Sequence, residues 1–425
     1  MIKTIITFII VFGILVFVHE FGHYYFAKKS GILVREFSIG MGPKIFAYHK
    51  NSTTYTIRIL PLGGYVRMAG MEDDSESLQQ GQPVSLIMNE QNCVKKINTS
   101  QKVTMMQGLP LEVTNWDLEK ELWIEGYVNG DVEKLQRFAV DHDALIIEKD
   151  GTELQIAPLD VQVQSATVPQ RIMTNFAGAM NNFILAIVAF MLVAFLQGGV
   201  KTPTNTLGSV QENSVAQKAG LQKNDQIIAV DGEKTDTWMK LVDAISERGG
   251  DRITLTVKRH KQEFKVNLVP KIVKDKDKKR GQIGITTKVK VNDSILDMIA
   301  YGFVNTWNIV VMTFAALWKM LSGGFSLNDL GGPVAIYSYT SEAARYGVLT
   351  VINLMAVLSV NLGIFNLLPI PALDGGKILL NIIEGIRKKP IDPEKEGLIT
   401  LIGFGFLLLL MVLVTWNDIQ RFFFR

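Results

Sequence analysis

The chain predicts a polytopic α-helical membrane protein with four spans, a cytosolic β-hairpin region followed by an insert, and an extracytoplasmic α/β module. Three observations predict it. Hydrophobic residues make up 48% of the 425, and mean hydropathy is positive at +0.19. Four apolar segments, about 4–27, 172–197, 349–369 and 397–416, are long enough to span a bilayer. Lys and Arg flank them unevenly, and the positive-inside rule then fixes their orientation.

The first span (residues 1–30) carries Lys3 as a basic flank but no small-residue cleavage pattern, so it reads as retained rather than as a signal peptide. Lys28, Lys29, Arg35 and Lys44 follow it and place its end in the cytosol. Inside this run lies His19-Glu20-Phe21-Gly22-His23. Two imidazoles at i and i+4 share one helical face and can reach a single metal ion. The Glu20 carboxylate sits beside them, where it can take a proton from bound water. H-E-x-x-H on a helix is the zinc-hydrolase pattern for this reason. Ionisable residues inside a span are costly, which marks a functional site. At 1.5 Å per residue His23 lies about 7–8 Å from the cytosolic helix end, within reach of cytosolic water.

Residues 31–70 carry strand signals. Tyr55–Ile59 alternates, Tyr65–Met68 follows, and Pro61 with Gly63-Gly64 marks a turn between them. Residues 71–170 are polar and mixed, a soluble cytosolic insert with strands expected near 102–106 and 144–148. Its His142, between Asp141 and Asp143, reads as part of a solvated acidic loop. The single cysteine, Cys93, has no partner at metal or disulfide spacing and reads as an ordinary thiol.

Span two (residues 171–198) follows Arg171, so it starts in the cytosol and leads outward. Residues 199–275 form a compact α/β module. Leu207–Val210 is strand-like, Gln226–Val230 ends in an Asp231-Gly232 turn, Trp238–Ile245 is a short amphipathic helix, and two alternating strands follow. Ala219-Gly220-Leu221, Asp225 and Asp231-Gly232 resemble the signatures of a bacterial-type PDZ domain, with Asn224 in place of the usual Gly. Such a module either binds an extended peptide as an added strand or acts as a steric filter.

Within residues 276–348, the stretch 295–321 is apolar but broken by Asp297, Asn305, Asn308 and Lys319. It reads as an interfacial helix at the outer face. The third span (residues 349–376) ends in Asn366-Leu367-Leu368-Pro369-Ile370-Pro371-Ala372-Leu373-Asp374-Gly375-Gly376. Two prolines break the helix, and broken backbone in a membrane is tolerated where it lines a polar cavity. Asp374 then offers a carboxylate oxygen. Two His, one carboxylate and an open position make a catalytic zinc sphere. For the three ligands to meet, spans one and three must run in the same direction, which span two alone allows. Residues 377–425 hold a basic loop (Lys377, Arg387, Lys388, Lys389, Lys395) and the fourth span. The net charge of +3 gives no nucleic-acid footprint.

His19-Glu20-x-x-His23 together with Asn366-x-x-Pro369-x-Pro371-x-Leu373-Asp374-Gly375 resembles the site-2 protease family of intramembrane zinc metalloproteases, in its bacterial single-PDZ form. The likeness covers 1–70, 172–270 and 327–425. It includes Arg35–Pro43 and Pro61–Val66 as a membrane-associated β region, and Leu330-Gly331-Gly332-Pro333. The family's G-P-x-x-N in span two reads Gly178-Ala179-Met180-Asn181-Asn182 here, with Ala for Pro. The insert is longer than in members with a short cytosolic loop.

The resemblance implies Zn²⁺ as cofactor, Glu20 as general base, and cleavage of transmembrane segments of single-span proteins within the bilayer. Anti-sigma factors and signal-peptide remnants are substrates of this kind. It also implies an upstream site-1-type protease and a location in the bacterial plasma membrane, with the active site near the cytosolic face and the PDZ domain outside. A β edge such as 55–68 would hold the unwound substrate, and Asn366, Pro369 and Pro371 would contact it. The competing class is a non-enzymatic membrane adaptor whose PDZ domain binds tails and whose metal is structural. Structural zinc usually takes four protein ligands, and three are well placed here. A metal transporter would need ionisable residues across the bilayer, which the second and fourth spans lack.

Overall fold

The computed structural model describes residues 2–70, 78–100, 108–131, 134–275, 278–324 and 330–423. The strand expected near 102–106 lies outside them. The chain divides into two compact units, one of residues 1–190 with 304–425 and one of residues 191–303.

The larger unit opens with helix α1 (Ile2–Lys29). Its buried residues include Val11, Leu15, His19, His23 and Ala27, one every fourth position. That spacing makes a single stripe along the helix, and it carries both histidines inward. Ile5, Ile6, Ile9, Ile10, Phe17 and Phe21 face outward, as befits a helix whose surroundings are lipid.

Strands β1 (Val34–Lys50) and β2 (Thr53–Met68) form a long ribbon after α1. The hairpin turn sits at Asn51-Ser52, with φ of 49° and 64°, not at residues 61–64 as the turn residues suggested. Two left-handed positions in a row suit the twist of a two-residue hairpin. Pro61 and Gly63 instead mark a register shift: Ile39 pairs with Gly64 and Met41 with Leu60. Residues 36–39 pair with both 54–57 and 64–67, so the ribbon folds back on itself.

The insert contains β3 (Pro83–Met88), β4 (Val94–Asn98), β5 (Leu109–Asp117), β6 (Trp123–Val128), β7 (Leu135–Ile147) and β8 (Glu153–Gln155). The sheet order is β4-β3-β5-β6-β7-β8, and β4 also pairs with β7. The first five strands therefore close into a ring that protects its edges. Leu86, Val94, Ile97, Leu111, Val113, Ile124 and Ile146 fill it. The strand expected near 144–148 is the end of β7, and His142 lies on that strand rather than in a loop.

The insert is tied to the β1–β2 ribbon. The buried Arg35 Nε donates to the Gln155 carbonyl at 2.6 Å. Arg67 pairs with Glu148 at 3.0 Å, and Lys44 donates to Thr152 Oγ1 at 2.8 Å. The Thr54 hydroxyl donates to the Glu153 carbonyl.

Helix α2 (Val168–Leu196) follows. Its Thr174 meets His23 and its Asn182 meets His19, so α2 runs antiparallel to α1.

The smaller unit is an α/β module. It holds β9 (Val200–Val210), α3 (Val215–Lys218), β10 (Gln226–Val230), β11 (Glu233–Lys234), α4 (Trp238–Glu247), β12 (Ile253–Arg259) and β13 (Gln262–Leu268). A short hairpin, β14 (Lys271–Asp275) and β15 (Lys278–Gln282), leads to β16 (Ile285–Asn292). The main sheet runs β13-β12-β10-β9-β16, so it continues past residue 275, where the sequence reading ends the PDZ module. Asn224, at the position of the usual Gly, has φ of 70°. Asn tolerates that left-handed conformation better than most residues. Asp225, next to it, is 1% exposed and takes two bonds from Arg259 at 2.7 and 2.8 Å. Burial pushes its carboxyl pKa up, but the Arg259 bonds and the Gln222 N–H outweigh this and hold it below the usual range.

Helices α5 (Ile295–Lys319), α6 (Pro333–Tyr346), α7 (Val348–Asn366), α8 (Asp374–Arg387) and α9 (Pro393–Phe423) complete the chain. Among the described residues five helices are long and apolar enough to cross a membrane, one more than the four expected. The addition is α5, the segment read as interfacial. Its Ile309, Val310 and Leu317 pack on Ala186, Val360 and Ile364, and the Thr313 hydroxyl donates to Asn361 Oδ1 at 2.9 Å.

Ser359 donates to the Asn182 carbonyl at 2.7 Å, and a Cβ on Gly363 would lie 3.2 Å from the Ala179 carbonyl. Rising numbers on α7 meet falling numbers on α2, so α7 is antiparallel to α2 and runs the same way as α1. This is the relation that a shared metal requires. Helix α8 was not foreseen in the basic loop. Its Glu384 accepts from Arg171 at 2.7 Å and from the Ile391 N–H at 2.7 Å, which ties it to the start of α2.

Candidate metal centre

His19, His23 and Asp374 come together with one ligand atom each. His23 Nε2 is 3.2 Å from His19 Nε2, and each Nε2 is 3.3 Å from Asp374 Oδ2. Both histidines are buried.

The donor set fits a zinc ion on its own chemistry. His23 Nδ1 lies 2.9 Å from the Thr174 carbonyl. A carbonyl only accepts, so Nδ1 carries the proton and Nε2 presents a lone pair. That lone pair faces another imidazole nitrogen and a carboxylate oxygen. Three electron-rich atoms at this spacing repel one another unless a metal ion or a proton lies between them. Among the described residues the buried Asp374 Oδ2 has no hydrogen-bond donor, as expected of an oxygen aimed at such a cation. Tetrahedral zinc with bonds of about 2.0–2.1 Å holds its ligand atoms about 3.3 Å apart, which matches the observed triangle.

Two glycines allow this geometry. A Cβ on Gly22 would lie 2.3 Å from the Ala177 carbonyl. A Cβ on Gly178 would lie 2.3 Å from His23 Nε2 and 2.7 Å from His19 Cε1. The backbones of α1 and α2 approach closely there, as small residues permit in membrane helices. Thr174, Gly178 and Asn182 are spaced by four and face the two rings together.

Glu20 is one residue from His19 and half-buried. The ribbon lies against it: a Cβ on Gly64 would be 3.2 Å from Glu20 Cγ. Asn366 is the last residue of α7, and Pro369 and Pro371 lie in the break before α8. In that break Ala372 takes φ of 78°, and α8 starts at Asp374. The prolines thus end α7 as their chemistry requires, and the restart carries the carboxylate back to the histidines. Among the described residues the Asn366 side chain makes no hydrogen bond to the cluster. The neighbours of the rings on α2 were not foreseen from spacing alone. The only signal for them was the glycine and asparagine of the Gly178–Asn182 stretch.

The model of peptidase family M50 matches residues 7–410. The chain is 55% identical over 424 residues to "Probable protease eep" of Enterococcus faecalis, covering 99% of this chain and 100% of that protein. It is 47% identical over 427 residues to a Streptococcus pneumoniae protein named "Putative zinc metalloprotease", covering 99% of each. Among solved structures, the PDZ domain of an SdrC-like protein from Listeria monocytogenes aligns with 21% of this chain and 90% of its own at 24% identity and a TM-score of 0.18. A match over nearly the whole chain, joined to a two-histidine, one-carboxylate centre inside a helix bundle, means that the chain belongs to peptidase family M50, the site-2 proteases.

Proposed function

We propose that this zinc metalloprotease cuts transmembrane segments of single-span proteins, or signal-peptide remnants, within the bilayer, in regulated intramembrane proteolysis. The observation that carries this reading is the triangle of 3.2 and 3.3 Å between two histidines on a membrane-length helix and the carboxylate that opens α8. His19, His23 and Asp374 hold the zinc. When bound, zinc acts as a Lewis acid and lowers the pKa of a water towards about 7.

Glu20, the only carboxylate between the two histidines, takes the water's proton and passes it to the leaving amine. A peptide bond in a helix is shielded by its own hydrogen bonds, so the substrate must first unwind. The ribbon strand that touches Glu20 at Gly64 offers backbone groups to an extended substrate. Asn366, Pro369 and Pro371 line the helix break and contact the unwound segment. The charge pattern supports a plasma-membrane location, with the centre near the cytosolic face and the PDZ module outside. The substrates are supplied by a first cut from another, site-1-type protease.

The test is mass spectrometry of membrane peptides from cells carrying wild type or Glu20→Gln. Glu20→Gln keeps its zinc, and membrane stubs accumulate because turnover falls by roughly 10²–10⁴. In the same cells His23→Ala loses both zinc and turnover, whereas Asn366→Leu lowers cleavage with zinc unchanged. Equal stub levels in wild type and Glu20→Gln, with both proteins zinc-loaded, would favour the adaptor reading.

A further inference from the structure

Asn182 stands where it can decide which nitrogen of His19 faces the metal. It is fully buried (0% exposed), and its side-chain nitrogen Nδ2 lies 3.0 Å from His19 Nδ1. On His23 the Nδ1 partner is the Thr174 main-chain carbonyl, which no substitution can remove. On His19 the same duty falls to a side chain. The logic that fixes His23 applies again. His19 Nε2 points at Asp374 Oδ2 and His23 Nε2, so as a ligand it must present its lone pair and Nδ1 must carry the proton. A proton on Nδ1 needs an acceptor.

Among the described residues the amide oxygen of Asn182 is the atom of that side chain otherwise left without a hydrogen-bond partner. Oxygen and nitrogen of an amide exchange places by a half-turn of the group. With Oδ1 turned towards His19 the acceptor is supplied. The backbone of Asn182 is held in place meanwhile: its carbonyl accepts from Ser359 Oγ at 2.7 Å, and the adjacent Asn181 donates to the Val18 carbonyl at 3.1 Å.

We propose that Asn182 is a positioning residue whose side-chain oxygen accepts the His19 Nδ1 proton and so holds the Nε2 lone pair on the zinc. The inference rests on the zinc reading above. Partners of this kind typically set metal affinity by 10–100-fold.

The experiment measures zinc affinity of the detergent-solubilised full chain by competition with a chromophoric chelator. The visible spectrum of the Co²⁺-loaded protein is recorded alongside. Asn182→Leu keeps the volume and removes the acceptor. Asn182→Asp keeps the acceptor. Asn182→Ala serves if the leucine variant does not fold, as judged by circular dichroism and elution volume. Leucine or alanine should weaken zinc binding about 10–100-fold and shift the Co²⁺ spectrum, while aspartate retains the wild-type affinity and spectrum.

Affinities of Asn182→Leu or Asn182→Ala equal to wild type would overturn the proposal. So would Asn182→Asp losing as much as they do, which would mean that packing alone matters. A wild-type chain that binds no zinc would instead sink the zinc reading, and the proposal with it.

Discussion

The insert and the helix bundle solve opposite packing problems. The insert core is made of branched side chains, among them Leu86, Ile97, Leu111, Ile124 and Ile146, all sealed from solvent. The bundle around His19, His23 and Asp374 is made of small and polar ones: Gly22, Ala177, Gly178, Ala179, Asn182 and Ser359. In water, burying large apolar surface drives packing. Between helices in lipid that force is absent, so close backbone approach and hydrogen bonds take over. The insert therefore gains stability from volume, and the bundle gains geometry from the lack of it.

The contrast can be broken at its strongest point. Gly178→Ala adds one methyl group where the two rings sit, and Gly178 is not a ligand. The rings must swing aside, so zinc affinity and peptidase activity should fall by more than tenfold, the scale of lost ligand positioning. Metal content after mild chelation reads this out, and an unaffected Gly178→Ala would show that the helices separate easily.

The insert answers a large change differently. Ile124→Ala removes a fully buried side chain from β6 and should cost about 2–5 kcal/mol of insert stability. Hydrogen exchange within β5–β7 should rise while zinc affinity stays near wild type. Loss of zinc would mean that the insert and the centre form one cooperative unit.

The smallest effect concerns His142. Its Nδ1 bonds Asp143 at 3.0 Å and its Nε2 bonds Asp160 at 3.2 Å. The Asp143 bond first, opposed by partial burial and then aided by Asp160, raises its pKa above the ordinary value of 6.5. A raised histidine stabilises the folded state fully below about 6.5. That contribution disappears as pH climbs through the raised value. The group is well exposed, so the effect is a few tenths of a kcal/mol. Protection of the amides around residues 140–160, corrected for the intrinsic pH dependence of exchange, should fall from pH 6 to pH 8 in wild type and stay level in His142→Gln.

Legibility followed the physics of each region. His19 and His23 were readable because helical spacing alone puts them on one face. Asp374 was readable because two prolines announced a break. The hairpin turn was misplaced because Pro61 and Gly63 signal irregular backbone without saying whether the chain reverses there. Asn51-Ser52, which does reverse, carries weaker turn chemistry. Helix α5 reads as interfacial because a further crossing between the first and third spans would part His19 and His23 from Asp374, and because Asp297, Asn305, Asn308 and Lys319 interrupt it. Its length and apolar composition still suffice to cross, and its Thr313 bonds Asn361. Thr174 contributes only its main chain to His23, and no sequence pattern identifies a carbonyl.

The close passage of α1 and α2 at Gly178 also has a genetic consequence. Every single-base change of a glycine codon that is not silent introduces a side chain or a stop. Position 178 has no conservative neighbour in the genetic code. A screen for loss of peptidase activity by random point mutation should recover Gly178 alleles alongside those at His19 and His23, although the residue has no atom with which to bind metal.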